Sequence, residues 1–146
     1  MRALGIDLGS KRIGVATSDR SGTIATPLVV IQRGGNRRVD YQAIANLALE
    51  HESECVVVGL PLNMSGSTGA AAQAAIDEAN ELASVVAVPV YTYDERLTTV
   101  TADNILMEQK MKAQARRRVV DKVAAAVMLQ SWLDHRRHQL LAESGE

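Results

Sequence analysis

Three apolar runs crowd into the start of the chain, at residues 2–8, 11–18 and 23–31, and only "GSK" and "DRSG" separate them. Their period-two and continuous apolar patterns read as strands. Joints this short leave no room for a crossover helix, so the strands must turn back on one another as an antiparallel meander. Beyond them the period changes. Residues 39–52 carry Tyr41, Ile44, Ala45, Leu47, Ala48 and Leu49 as a helical stripe, and residues 55–60 form a continuous apolar run of the kind a buried strand shows. After the turn "NMSGSTG" the pattern predicts a helix over 70–85, a strand over 88–93, a helix over 98–108 and a last helix over 119–141. A meander followed by alternating helices and strands predicts an α/β protein with a mixed five-stranded sheet flanked by helices.

The 146 residues suit one domain spanning 1–146, and the formal charge of -1 supplies no overall attraction to a polyanion. A nucleic-acid partner would therefore have to be met by a local patch. Cys55 is the only cysteine, which excludes internal disulfides and a cysteine-rich metal site. No secretory pattern precedes the first strand and no apolar run approaches membrane-spanning length, so the expectation is a cytoplasmic protein with no membrane partner.

One acid interrupts the first strand. In "ALGIDLGSKRIGVATSD", Leu4, Ile6 and Leu8 point one way while Ala3, Gly5, Asp7 and Gly9 point the other, so Asp7 sits on a face of small residues. Small neighbours leave room for a metal or substrate beside the carboxylate. Alternatively, Asp7 accepts turn amides or pairs with Lys11 or Arg12. Glu95, in "VYTYDERLTT", lies just past a strand end, where open α/β sheets carry functional groups, although Asp94 and Glu95 could equally begin a solvated loop with Thr98 capping the next helix. Asp121, in "RRRVVDKVAAAVMLQ", falls in the first turn of a helix, a place the helix dipole favours for ordinary reasons. Taken together, three carboxylates on two strands and a helix match what hard cations such as Mg²⁺ or Mn²⁺ require, whereas His51, His135 and His138 show no zinc-like spacing.

The segments "GIDLGSKRIGVATSD", "VVVGLPLNMSGSTG", "DERLTT" and "VDKVAAAVMLQSWL" resemble the successive signatures of the bacterial YqgF family, the pre-16S ribosomal RNA nucleases also described as Holliday junction resolvase-like. The resemblance spans residues 5–133 in four ordered blocks. It implies a ribonuclease H-like fold and carries the family's acids onto Asp7, Glu95 and Asp121, as ligands of an expected two-ion Mg²⁺ or Mn²⁺ site. The expected activity is metal-dependent hydrolysis of phosphodiester bonds in structured nucleic acid, with ribosomal RNA precursor or branched DNA as substrate.

Other features then take their place. Lys110, Lys112, Arg116, Arg117, Arg118 and Lys122 put six cations in thirteen residues beside Asp121, and this basic loop is expected to hold a substrate backbone. Lys11 and Arg12 are further candidates for that contact. Residues 59–69 read first as a strand-to-helix turn with Ser67 or Thr68 as cap; in the functional alternative Asn63 and the helix N-terminus face a phosphate. Arg96 is either a carboxylate partner or a phosphate clamp. Cys55, Trp132, Met107 and Met128 read as core, and with no Phe and only three Tyr besides Trp132 the composition gives little support to a base-stacking platform. Two rivals remain: an actin-like or sugar-kinase ATPase, which the single-domain length disfavours, and a non-catalytic RNA-binding assembly factor. Either a monomer or a homodimer fits.

Overall fold

The computed structural model describes residues 1–98 and 113–144, with the side chains of the last helix described from 122 to 142. The elements run β1 (Ala3–Leu8), β2 (Arg12–Ser18), β3 (Ala25–Gln32), α1 (Arg37–Glu50), β4 (Cys55–Leu60), α2 (Ala70–Ala83), β5 (Val90–Asp94), a 3₁₀ turn (Glu95–Leu97) and α3 (Ala113–Ser144). The sheet order is β3-β2-β1-β4-β5. β1, β2 and β3 form the expected antiparallel meander, and β4 and β5 add in parallel to β1. Pro27, which cannot donate to a ladder, sits in edge strand β3 opposite the register shift between Val15 and Ala16.

The alternation read in β1 decides which helix covers which face. Leu4 and Ile6 join Ile13, Val15, Val56 and Val58 beneath Tyr41 and Ile44 of α1 and Leu82 of α2. On the other face Ala3, Ala16, Cys55, Val57 and Tyr93 meet Ala125, Met128, Leu129 and Leu133 of α3. A Cβ on Gly5 would lie 2.8 Å from the Leu129 Cβ and 3.2 Å from the Ala125 carbonyl oxygen. The small residues at this end of β1 therefore admit the backbone of α3, and at Gly5 the room that the sequence suggested for a ligand is filled by that helix. Gln130 fastens α3 to the start of β3: its Oε1 accepts the Ala25 N–H and its Nε2 donates to the Thr23 carbonyl, each at 2.8 Å.

A buried ionic cluster joins the other layer. Arg33 donates to Asp40 of α1 at 3.2 Å, to both carboxylate oxygens of Glu78 of α2, and to the Gly9 carbonyl at 2.9 Å. The Tyr41 hydroxyl lies 2.7 Å from both Glu78 and Glu81. One guanidinium thus ties the β1–β2 turn to both helices.

The elements differ from expectation in two places. α3 begins at Ala113, so Arg116, Arg117 and Arg118 lie on a helix and not in a loop before it. The cap of α2 is Gly69, with no side-chain cap bond from Ser67 or Thr68. Lys110, Lys112, Met107 and the helix expected over 98–108 fall outside the described residues, apart from Thr98. Among the described residues no helix is long and apolar enough to cross a membrane.

Candidate active site

Parallel strands β1, β4 and β5 end at one edge of the sheet, and two of the three predicted acids meet there. Ile6 pairs with Val58, which brings Asp7 level with Gly59, and Gly59 in turn pairs with Tyr93. Just past β5 the chain tightens into the 3₁₀ turn: the Asp94 carboxylate accepts the Arg96 N–H at 2.9 Å, and the Thr98 N–H and hydroxyl both return to the Glu95 carbonyl. This turn sends the Glu95 side chain back over β4. A Cβ on Gly59 would collide with Glu95 Oε1 and stand 3.0 Å from its Cγ. Gly59 is therefore the slot in which the Glu95 carboxyl lies, across β4 from Asp7.

That placement changes the acid. Burial pushes the Glu95 carboxyl up to about 7, and the like charge of Asp7, a hydrogen bond between the two carboxyls and the charge of Asp94 add to the effect. Two carboxyl groups in contact thus share a proton near neutrality, an arrangement that a cation could replace.

Asp121 lies on α3 one turn before Ala125, the residue packed over Gly5. Because Leu133 lies near Met1 while Leu129 lies over Gly5, α3 runs antiparallel to β1, and position 121 falls toward the Asp7 end of the strand. The side chain of Asp121 is outside the described residues. Among the described residues no group of three or more His, Cys, Asp or Glu side chains converges as a metal centre.

The predicted substrate contacts separate. Exposed Lys11 lies in the β1–β2 turn, its carbonyl accepting the Arg33 N–H at 2.9 Å, and Arg12 opens β2 opposite Gln32. Asn63 builds its own loop, with Nδ2 donating to Ser67 Oγ at 3.0 Å and its carbonyl accepting the Gly66 N–H at 2.8 Å. Arg96 takes a carboxylate, and the partner is Asp94 at 2.6 Å; its Nη1 also donates to the Met64 carbonyl at 3.2 Å, which joins the loop after β4 to the turn after β5. Lys122 is half-buried on α3, Lys112 is outside the described residues, and Arg116, Arg117 and Arg118 are placed by their backbone alone. His51 caps α1, and His135 and His138 lie on α3.

Sequence reasoning missed two things here. Gly59 as the slot for Glu95 had a signal, a glycine inside an apolar strand run. The aromatic residues, too few in the composition to suggest a platform, nonetheless gather: Tyr91 stacks on Trp132 with ring centroids 6.1 Å apart, and Trp132 is half-buried, packed against the core.

Comparison with known proteins adds to this geometry. The family model described as RuvX: Holliday junction resolvase matches residues 1–135. A Mycobacterium sp. (strain KMS) protein named "Putative pre-16S rRNA nuclease" is 48% identical, over 97% of this chain and 84% of its own. Proteins of the same name from Myxococcus xanthus (46% identical; 94% and 90% covered) and Thermoanaerobacter pseudethanolicus (41%; 95% and 100%) are also similar. Among solved structures, T. thermophilus RuvC in complex with a Holliday junction substrate superposes with a TM-score of 0.54 at 16% identity, covering 94% of this chain and 96% of that one. At that identity the likeness speaks for the fold alone, which is ribonuclease H-like.

Proposed function

Because the chain belongs to the RuvX: Holliday junction resolvase family, we propose that it is a divalent-metal-dependent nuclease that hydrolyses phosphodiester bonds in structured nucleic acid, with pre-16S ribosomal RNA as its substrate in the cytoplasm. The observation that carries this reading is the pair at the strand ends, Glu95 lying in the Gly59 slot against Asp7. Two adjacent carboxyls, one of which burial and its neighbour's charge hold protonated up to about pH 7, are an oxygen donor set suited to Mg²⁺ or Mn²⁺. Asp7, Glu95 and Asp121 would hold two such ions, which when bound supply activation of the attacking water and charge neutralisation at the leaving oxygen.

The chain's own residues do the rest. β1 and the 3₁₀ turn fix the two acids on a rigid sheet edge, and the Asp94–Arg96 pair holds the turn against the Met64 loop. Lys11, Arg12, Lys112, Lys122 and the helical arginines 116–118 supply cations for the substrate backbone, and Asn63 supplies a polar contact. A second reading, cleavage of branched DNA, rests on the description of the family model.

The test is cleavage of RNA and branched-DNA panels with Mg²⁺ or Mn²⁺. Asp7→Asn, Glu95→Gln and Asp121→Asn should each remove most cleavage, on the order of 10²-fold or more, with the circular dichroism spectrum retained. Wild-type rates in any one variant would take that residue out of the site. EDTA should stop the reaction, and the products should carry 5′-phosphate and 3′-hydroxyl ends; a 2′,3′-cyclic phosphate would rule this mechanism out. Binding without cleavage under every condition would favour the assembly-factor reading.

A further inference from the structure

We infer that the cleft between β5 and α3 is a stacking site for an unpaired nucleotide of the substrate strand, an inference that rests on the nuclease reading for the identity of that strand. The cleft, about 470 Å³, is lined by Tyr91, Thr92, Tyr93, Leu97, Trp132, His135, Arg136 and Gln139. It belongs to none of the metal-binding or backbone contacts assigned above.

Strand and helix periodicity build it together. Tyr91 and Tyr93 alternate onto the α3 side of β5, the edge strand, while Trp132, Arg136 and Gln139 follow one stripe of α3. Tyr91 stacks on Trp132 at an interplanar angle of 23°, and the Arg136 guanidinium carbon stands 5.5 Å from the Trp132 ring centroid. Behind them the Tyr93 hydroxyl is fixed by Ser131 Oγ at 2.8 Å and His135 Nδ1 at 2.6 Å.

Composition makes this concentration informative. The chain has one Trp, three Tyr and no Phe, and all but Tyr41 are in this cleft. Tyr91 is 43% exposed and Leu97 52% exposed, so both keep surface that a ligand can reach. Flat π surfaces beside a guanidinium, with polar Thr92, His135 and Gln139 and one aliphatic residue in the lining, suit a base and its phosphate better than an aliphatic peptide face.

Position supplies the second argument. Tyr93 and Leu97 stand two residues either side of Glu95, and Ser131 Oγ donates to the Leu97 carbonyl at 3.2 Å, tying the turn that carries the acid to the cleft wall. At the strand rise of about 3.3 Å per residue, Tyr91 lies within about 13 Å of Glu95 along the chain, so a substrate strand held at Asp7 and Glu95 can reach this aromatic surface.

Trp132 is the only tryptophan, so its emission reports the site directly. In EDTA, where no cleavage occurs, titration with a single-stranded homopyrimidine oligonucleotide of about six nucleotides should quench it saturably. Tyr91→Ala should weaken that binding about 5- to 150-fold, and Tyr91→Phe should restore it. With metal present, the advantage in KM that a single-stranded extension gives a substrate should collapse in Tyr91→Ala. Absence of quenching, or equal affinity in Tyr91→Ala, overturns the assignment. So does an emission change that follows protein concentration without oligonucleotide, which would make the cleft a contact between copies of this chain. Quenching by a protein that cleaves nothing would leave the stacking site standing and overturn the nuclease reading instead.

Discussion

Glu95 keeps its proton to about pH 7 because burial strips water from its carboxyl before Asp7 adds a like charge beside it. Without metal, the folded state holds a proton that the unfolded chain releases near the ordinary value of 4.5. The folded value is the higher one, so stability is greatest below that pH, declines as pH rises towards about 7, and is level beyond it. Glu95→Gln keeps the shape and removes the titration. In EDTA, thermal unfolding should therefore show the variant losing less stability than wild type between those two values, and parallel curves would mean that another group titrates there. Asp7 and Glu95 were both legible as candidates, one from an acid inside an apolar strand and the other from its place after a strand end. Their contact was not, because it depends on the β1–β4–β5 register.

At the scale of elements, two glycines do different jobs on neighbouring strands. Gly5 allows α3 to approach the sheet, and alanine there would push a Cβ into Leu129 and the Ala125 backbone. Overpacking against backbone costs about 1–3 kcal/mol, so Gly5→Ala should lower the melting temperature. At Gly59 the nearest atoms an alanine Cβ would meet are those of the flexible Glu95 side chain. Gly59→Ala should leave the melting temperature nearly unchanged and remove most cleavage, because the carboxyl must swing out of its slot. Equal effects of the two substitutions on both readouts would refute this division. The early start of α3 belongs to the same scale: Ala113, Gln114, Ala115 and the three arginines are good helix formers, but they carry no apolar stripe for periodicity to detect.

Across the whole molecule the two layers are joined by charge as well as by apolar packing. Burial raises the Glu78 carboxyl, but Arg33 and Tyr41 more than offset this and hold it below the usual range. A depressed acid contributes stability above its unfolded value, and that contribution is lost as pH falls through the lowered one. Arg33→Met would strand Asp40 and Glu78 in the interior, and breaking such a buried cluster costs about 3–5 kcal/mol. Urea unfolding at neutral pH should show that loss, and the gap between variant and wild type should narrow in acid as Glu78 protonates. A gap that stays constant with pH would assign the cost to packing.

The meander, the order of helices and strands, the division of β1 into a Leu4–Ile6 face and an Asp7 face, and the three candidate acids can all be read along the chain. Those features follow from local periodicity and from turns too short to do anything else. Packing between distant elements makes Gly59 the slot for Glu95, lets Arg33 bind Gly9, Asp40 and Glu78 at once, and gathers scattered Tyr91, Tyr93 and Trp132 into one cleft. Each of these joins residues from different elements, whose relative placement is set by strand register and by how closely α3 can lie against Gly5.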